Sequence, residues 1–78
     1  MKHLSDITVG KRVLVKNNNS KSFLKERLLA LGLTQGALVE VLRKGAKNNL
    51  TVYRIRGAMI ALRKEEGDLI EVSELVSN

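Results

Sequence analysis

One histidine, eight carboxylates and no cysteine are all that this 78-residue chain offers a metal ion or a covalent intermediate. His3 stands near the N-terminus with no acid pair close to it in sequence, so a metal site would have to be assembled from distant carboxylates. Glu65, Glu66, Asp68, Glu71 and Glu74 cluster near the other end, but without the ligand spacing and tight-turn glycine of a calcium loop they read as a solvated acidic edge. A hydroxyl nucleophile needs an oriented base, and one terminal histidine cannot supply a triad. The six glycines, at positions 10, 32, 36, 45, 57 and 67, are spread one to a turn and form no phosphate-cradling loop. These absences lead to an expectation of no enzyme activity, no cofactor, no metal site and no small-molecule substrate.

Charge says more. The net charge is +6, and all 14 lysines and arginines fall in residues 1–64 against 3 acids, while residues 65–78 hold 5 acids and no base. A basic body of this kind attracts phosphate, anionic lipid or an acidic protein surface. Nucleic acid is one such partner, but single-strand binders stack bases on aromatic side chains. Only Phe23, expected within a helix stripe, and Tyr53, expected in the core, are present. No run approaches the ~20 apolar residues that span a bilayer, and no secretory signal is visible. Without cysteine the fold relies on packing alone, and a cytosolic setting is expected.

The elements that must position these charges are short. Residues 12–16, Arg-Val-Leu-Val-Lys, form a strand that ends in a loop at Asn17, Asn18 and Asn19. Ser22 is placed to cap a helix over 22–31, in which Leu24, Leu28 and Leu31 fall at i, i+4 and i+7 on one face. Gly32 ends it, and Leu33 then folds back as an apolar peg. After a turn at Gly36, residues 37–43 form a strand, and Gly45, Asn48 and Asn49 suit a hairpin connection with positive φ. On the return strand, 51–56, Thr51, Tyr53 and Ile55 point one way and Val52, Arg54 and Arg56 the other. Gly57 permits a bend, Ile60 and Leu62 face inward on a fourth strand, 64–68 makes one helical turn, and 69–72 closes the sheet. A single mainly-β domain of five strands, with one helix inserted after the first, is the predicted architecture.

Two stretches resemble a known family. Arg27, Leu28, Leu31, Gly32, Leu33 and Gly36 match the arginine-leucine run and Leu-Gly-Leu-x-x-Gly turn of the FeoA family, and Arg56, Gly57, Ile60, Ala61, Leu62 and Arg63 match its later Arg-Gly and Ala-Leu-Arg signature. The resemblance covers residues 4–72. Lys47, Asn48, Asn49 and Leu50 depart from the common Gly-Asp-Pro hairpin tip, and Ala58 stands where a Tyr is frequent. The resemblance implies an SH3-like barrel and a cytosolic accessory or regulatory role in bacterial ferrous iron transport, exercised by contact with the FeoB membrane transporter. Transition-metal binding is a family association to which no residue here is assigned. The partner surface expected from the residues is Leu33, Val52 and Met59 with Arg54 and Arg56 around them, an apolar patch rimmed by positive charge. A small basic nucleic-acid-binding barrel, and the SH3-like domain of an iron-dependent repressor, remain the alternatives.

Overall fold

Val13 and Val15, Val39 and Val41, and Tyr53 and Ile55 fall two apart on the three central strands, and one face of the sheet collects them. The structure, a computed structural model, describes residues 2–75. Its strands are β1 (Lys2–His3), β2 (Arg12–Asn18), β3 (Leu38–Lys44), β4 (Leu50–Ile55), β5 (Ala58–Arg63) and β6 (Ile70–Glu74). They form one antiparallel sheet in the order β1-β6-β2-β3-β4-β5. Helix α1 (Ser22–Ala30) follows β2, and the single turn α2 (Lys64–Gly67) joins β5 to β6.

The mainly-β architecture is as expected, with six strands instead of five. Lys2 and His3 pair with Val72 and Glu71, a match too short to leave a sequence pattern. Strand β2 also runs on through Asn17 and Asn18, which the triple Asn had suggested were loop. A register shift after Val15 lets both pair with β6, and the ladder rewards backbone pairing whatever the side chain.

Val13, Val15, Val39, Val41, Tyr53, Ile55, Leu62, Ile70 and Val72 point inward from five strands and meet Leu4, Ile7, Leu28 and Leu33 in a single cluster. For strands of one sheet to share one cluster, the sheet must curl around it. Burying each of the larger side chains contributes roughly 1.5–3 kcal/mol, the main favourable term for so small a domain. Helix α1 lays Leu24, Leu28 and Leu31 on this core, as the spacing predicts. Its start differs. Ser22 adopts φ 55° and makes no capping bond, and the N-cap position falls to Lys21. The turn before the helix is instead held by Asn18, whose Oδ1 accepts the Ser20 N–H at 3.0 Å and the Ser20 hydroxyl. Phe23, expected in the helix stripe, is 85% exposed, because it precedes Leu24 by one residue and lies about 100° around the helix.

Three glycines set the close approaches and turns around β4. Gly32, at φ +107°, lies so close to β4 that an added Cβ would sit 2.8 Å from Ile55 Cγ2. Arg56 and Gly57 both have positive φ, 52° and 83°, the signature of the two-residue type I′ turn whose twist matches a hairpin. In the β3–β4 connection the positive φ expected of Gly45 or the asparagines falls on Lys47, at 59°. Gly45 serves a different need, since its N–H donates to Leu50 O at 2.7 Å and a Cβ there would stand 3.1 Å from that oxygen.

Candidate protein-interaction face

Alternation that sends Tyr53 and Ile55 inward sends Val52 and Arg54 outward, and strand pairing extends them into rows. Met59 on β5 is opposite Arg54 on β4, Arg54 opposite Glu40 on β3, and Glu40 opposite Arg12 on β2. The next row runs from Ala61 through Val52 to Arg43. A third pairs Arg63 with Leu50. Met59 is 68% exposed, Leu50 and Leu38 are also exposed, and Val52 is half-buried between its neighbours. At one end a shallow depression of about 320 Å³ is lined by Arg12, Ala37, Leu38, Glu40, Arg54 and Arg56.

Of the five residues expected to bind a partner, four lie here. Val52, Arg54 and Met59 occupy adjacent strands, and Arg56 stands on the hairpin tip beyond β4, its Nη2 donating to Thr34 Oγ1 at 2.9 Å. Leu33 does not. It is fully buried, with its N–H donating to Leu28 O at 3.1 Å, because the chain leaving Gly32 turns the side chain under the helix end instead of beyond it. Val52 is less exposed than expected, since Arg43 and Ala61 flank it. Sequence reasoning passed over Arg12, Leu38, Arg43, Leu50 and Arg63, whose alternation along their own strands was legible but whose neighbours across the sheet were not.

Charge separates on this surface. Arg54 Nη1 lies 3.4 Å from Glu40 Oε1, and among the described residues no carboxylate pairs with Arg12, Arg43, Arg56 or Arg63. Four of the five C-terminal acids are engaged elsewhere. Glu74 contacts Lys2 at 2.6 Å and Lys11 at 3.2 Å, and those bonds hold its carboxyl below the ordinary range. Glu66 contacts Arg27 Nη1 at 2.6 Å and accepts the Arg63 N–H at 2.9 Å; burial pushes its carboxyl up, but these bonds outweigh burial and the net shift is downward. Asp68 is lowered by the Ser5 hydroxyl first and by Lys64 second. Glu71 is buried, 3.4 Å from Asn17 Nδ2. The acids thus offset bases at the terminal side of the sheet, and among the described residues the outer face of β3–β5 is left with Arg12, Arg43 and Arg56 nearby without a carboxylate partner, while the charge of Arg63 acts on Glu66.

His3 Nδ1 sits 3.8 Å from Asp6 Oδ2, and among the described residues no three His, Cys, Asp or Glu side chains gather as metal ligands. No helix among those residues is long and apolar enough to cross a membrane.

A curled six-stranded sheet with a helix packed beside β2 defines a small β-barrel of the SH3-like kind. The chain belongs to the FeoA family, whose domain model matches residues 2–74. It is similar to the solution structure of the FeoA protein of Chlorobium tepidum, with a TM-score of 0.90, 27% identity, and coverage of 99% of this chain and 73% of that one. Iron(II) transport protein A of Clostridium thermocellum gives a TM-score of 0.91 at 30% identity, over 95% of this chain and 46% of that one. The zinc-complexed FeoA of Stenotrophomonas maltophilia, described as a prokaryotic SH3 domain protein, shares the fold at 21% identity and a TM-score of 0.83, over 94% of this chain and 91% of that one. No curated protein matches the chain.

Proposed function

We propose that this chain, as one domain over residues 1–78, is a cytosolic, non-catalytic accessory of bacterial ferrous iron transport. It docks on the FeoB-type membrane transporter through the outer face of β3–β5. Family membership supports the transport role. The single observation that carries the surface is the face itself: Val52 and Met59 among Arg54, Arg56, Arg12 and Arg43, with Glu40 the one carboxylate in its rows. An apolar centre with an arginine rim is the anatomy of a modest interface, and the positive field would speed encounter with an acidic partner.

The test is retention of the protein by membranes that contain the transporter, against membranes that lack it. Retention that depends on the transporter is expected; equal retention by both would remove the transporter as the partner and leave only charge attraction to lipid.

The exposure of Phe23 on α1, between the N-cap Lys21 and Lys25, gives a nucleic-acid reading one stacking residue. A lone aromatic does not make the platform of several stacked bases that single-strand binders use. Retention of oligonucleotides should be indifferent to sequence and vanish as salt rises, and tight binding of a defined oligonucleotide at physiological salt would favour that reading instead.

A further inference from the structure

The sheet is hydrogen-bonded in a row that does not return on itself, so it has two edges, and they are unlike. Edge β1 is two residues long. Edge β5 is six residues, Ala58–Arg63, paired with β4 without any register shift. Natural edges are usually blunted by a lysine, a proline, a bulge or an inward charge, and from Ala58 to Leu62 this one has none of them.

Which backbone groups are free follows from the turn. A two-residue loop makes Ile55 and Ala58 a hydrogen-bonded pair, and alternation makes Tyr53 with Ile60 and Thr51 with Leu62 the next ones. The N–H and C=O of Met59, Ala61 and Arg63 therefore point away from the sheet. The Arg63 N–H confirms that direction, since it meets the Glu66 carboxylate in α2 at 2.9 Å. Outside the strand ladders, no hydrogen bond among the described residues uses the N–H or C=O of Met59 or Ala61, and the β4 ladder by its alternation does not reach them. Helix α2 closes one end of the edge, and among the described residues no strand pairs with the stretch from Ala58 to Leu62 on its outer side.

We propose that the β5 edge accepts an extended acidic segment of a partner protein as a seventh, antiparallel strand. The proposal rests on the partner reading above for the identity of the protein that brings the segment, but not for the chemistry. Main-chain bonds to Met59 and Ala61 supply register, and alternate side chains supply selectivity. On the inner side an apolar residue of the added strand covers half-buried Ile60; on the outer side acidic residues lie beside Met59, within reach of Arg54 and Arg63. A second copy of this chain fits poorly. Antiparallel pairing of two β5 edges brings Arg63 of each toward the Arg56–Gly57 tip of the other, and each copy carries a net charge of +6.

The experiment is a titration of isotope-labelled protein with a capped hexapeptide of alternating Glu and Val, followed by amide NMR. Expected are binding in the millimolar range or tighter, shifts and slowed hydrogen exchange centred on the Met59 and Ala61 amides, and no binding by the Lys-Val counterpart. Ala61→Pro removes one outward N–H while leaving the β4 ladder intact, a substitution edge strands accept, and should weaken binding more than tenfold. A peptide methylated on its backbone nitrogens should fail equally against the unaltered protein, which keeps the test decisive if Ala61→Pro does not fold. Equal binding of the methylated peptide, shifts confined to Val52 and Arg54 with Met59 and Ala61 amides unmoved, concentration-dependent dimerisation through β5, or no binding of the Glu-Val peptide would each overturn the proposal. Transporter-dependent membrane retention is read separately, so either idea can fail alone.

Discussion

Strand β4 shows two surfaces of this molecule on neighbouring residues. Thr51, Tyr53 and Ile55 are each at most 5% exposed and belong to the core side, whereas Arg54 stands in solvent and Val52 is half covered. Even the polar tip of the inward set is enclosed: burial raises the Tyr53 hydroxyl above its ordinary pKa, with a hydrogen bond from Thr51 working the other way. Sequence alternation alone divides them, so one strand carries both the folding energy and the surface that meets other molecules. Inward changes should therefore move the melting temperature, and outward changes should leave it alone and move association.

The largest break in that comparison is a hole in the core. Leu28→Ala and Leu33→Ala each truncate a fully buried leucine and are expected to cost about 2–5 kcal/mol, readable as a drop in the urea midpoint. A loss within the surface range of roughly 0.5 kcal/mol would show that the side chain is not in the core.

Next is Gly32→Ala. The backbone there has φ +107° and the new methyl would meet Ile55 Cγ2 at 2.8 Å, so a loss of about 1–3 kcal/mol is expected by thermal melting. No loss would mean that the close approach of the helix end to β4 relaxes freely.

Smaller effects come from the carboxylates at the sheet's terminal side. Asp68 and Glu66 both have carboxyls held below their unfolded values, so their contribution is present above the ordinary carboxylate range and is lost as pH falls through the folded values. Melting temperature should be flat from neutrality to about pH 5 and fall below roughly pH 4. Asp68→Asn should flatten that acid limb at a cost of about 0.5 kcal/mol near neutrality, a discount that solvent screening of a partly exposed group imposes. An unchanged acid limb would argue that other groups set it.

How much of this was legible beforehand depends on whether a feature is local. The helix stripe of Leu24, Leu28 and Leu31, the inward set on β4 and the turn at Gly57 are local patterns, and they were read correctly. The pairing of Lys2–His3 with β6, the extension of β2 through Asn17 and Asn18, and the positive φ at Lys47 depend on chain segments far apart or on one close backbone contact. The fold-back of Leu33 onto the helix end was legible after Gly32, but its place on the partner surface was not, because the same fold-back buries the side chain completely. The face itself was half legible. Val52, Arg54, Arg56 and Met59 were named from β4 and β5, but Arg12, Leu38 and Arg43 join them only through cross-strand register.

The smallest expected effect on stability belongs to the variant that matters most for function, Arg54→Glu with Arg56→Glu. The direct measurement is titration of the detergent-solubilised transporter with the wild type, this double variant and Leu33→Ala, each with its own melting curve. The double variant should melt within about 0.5 kcal/mol of wild type and bind at least tenfold more weakly, because exposed charges add little stability but govern encounter and contact. Leu33→Ala should melt lower, with its folded fraction binding as wild type does. Equal affinity of the double variant and wild type, with both folded, would contradict the assignment of the β3–β5 face.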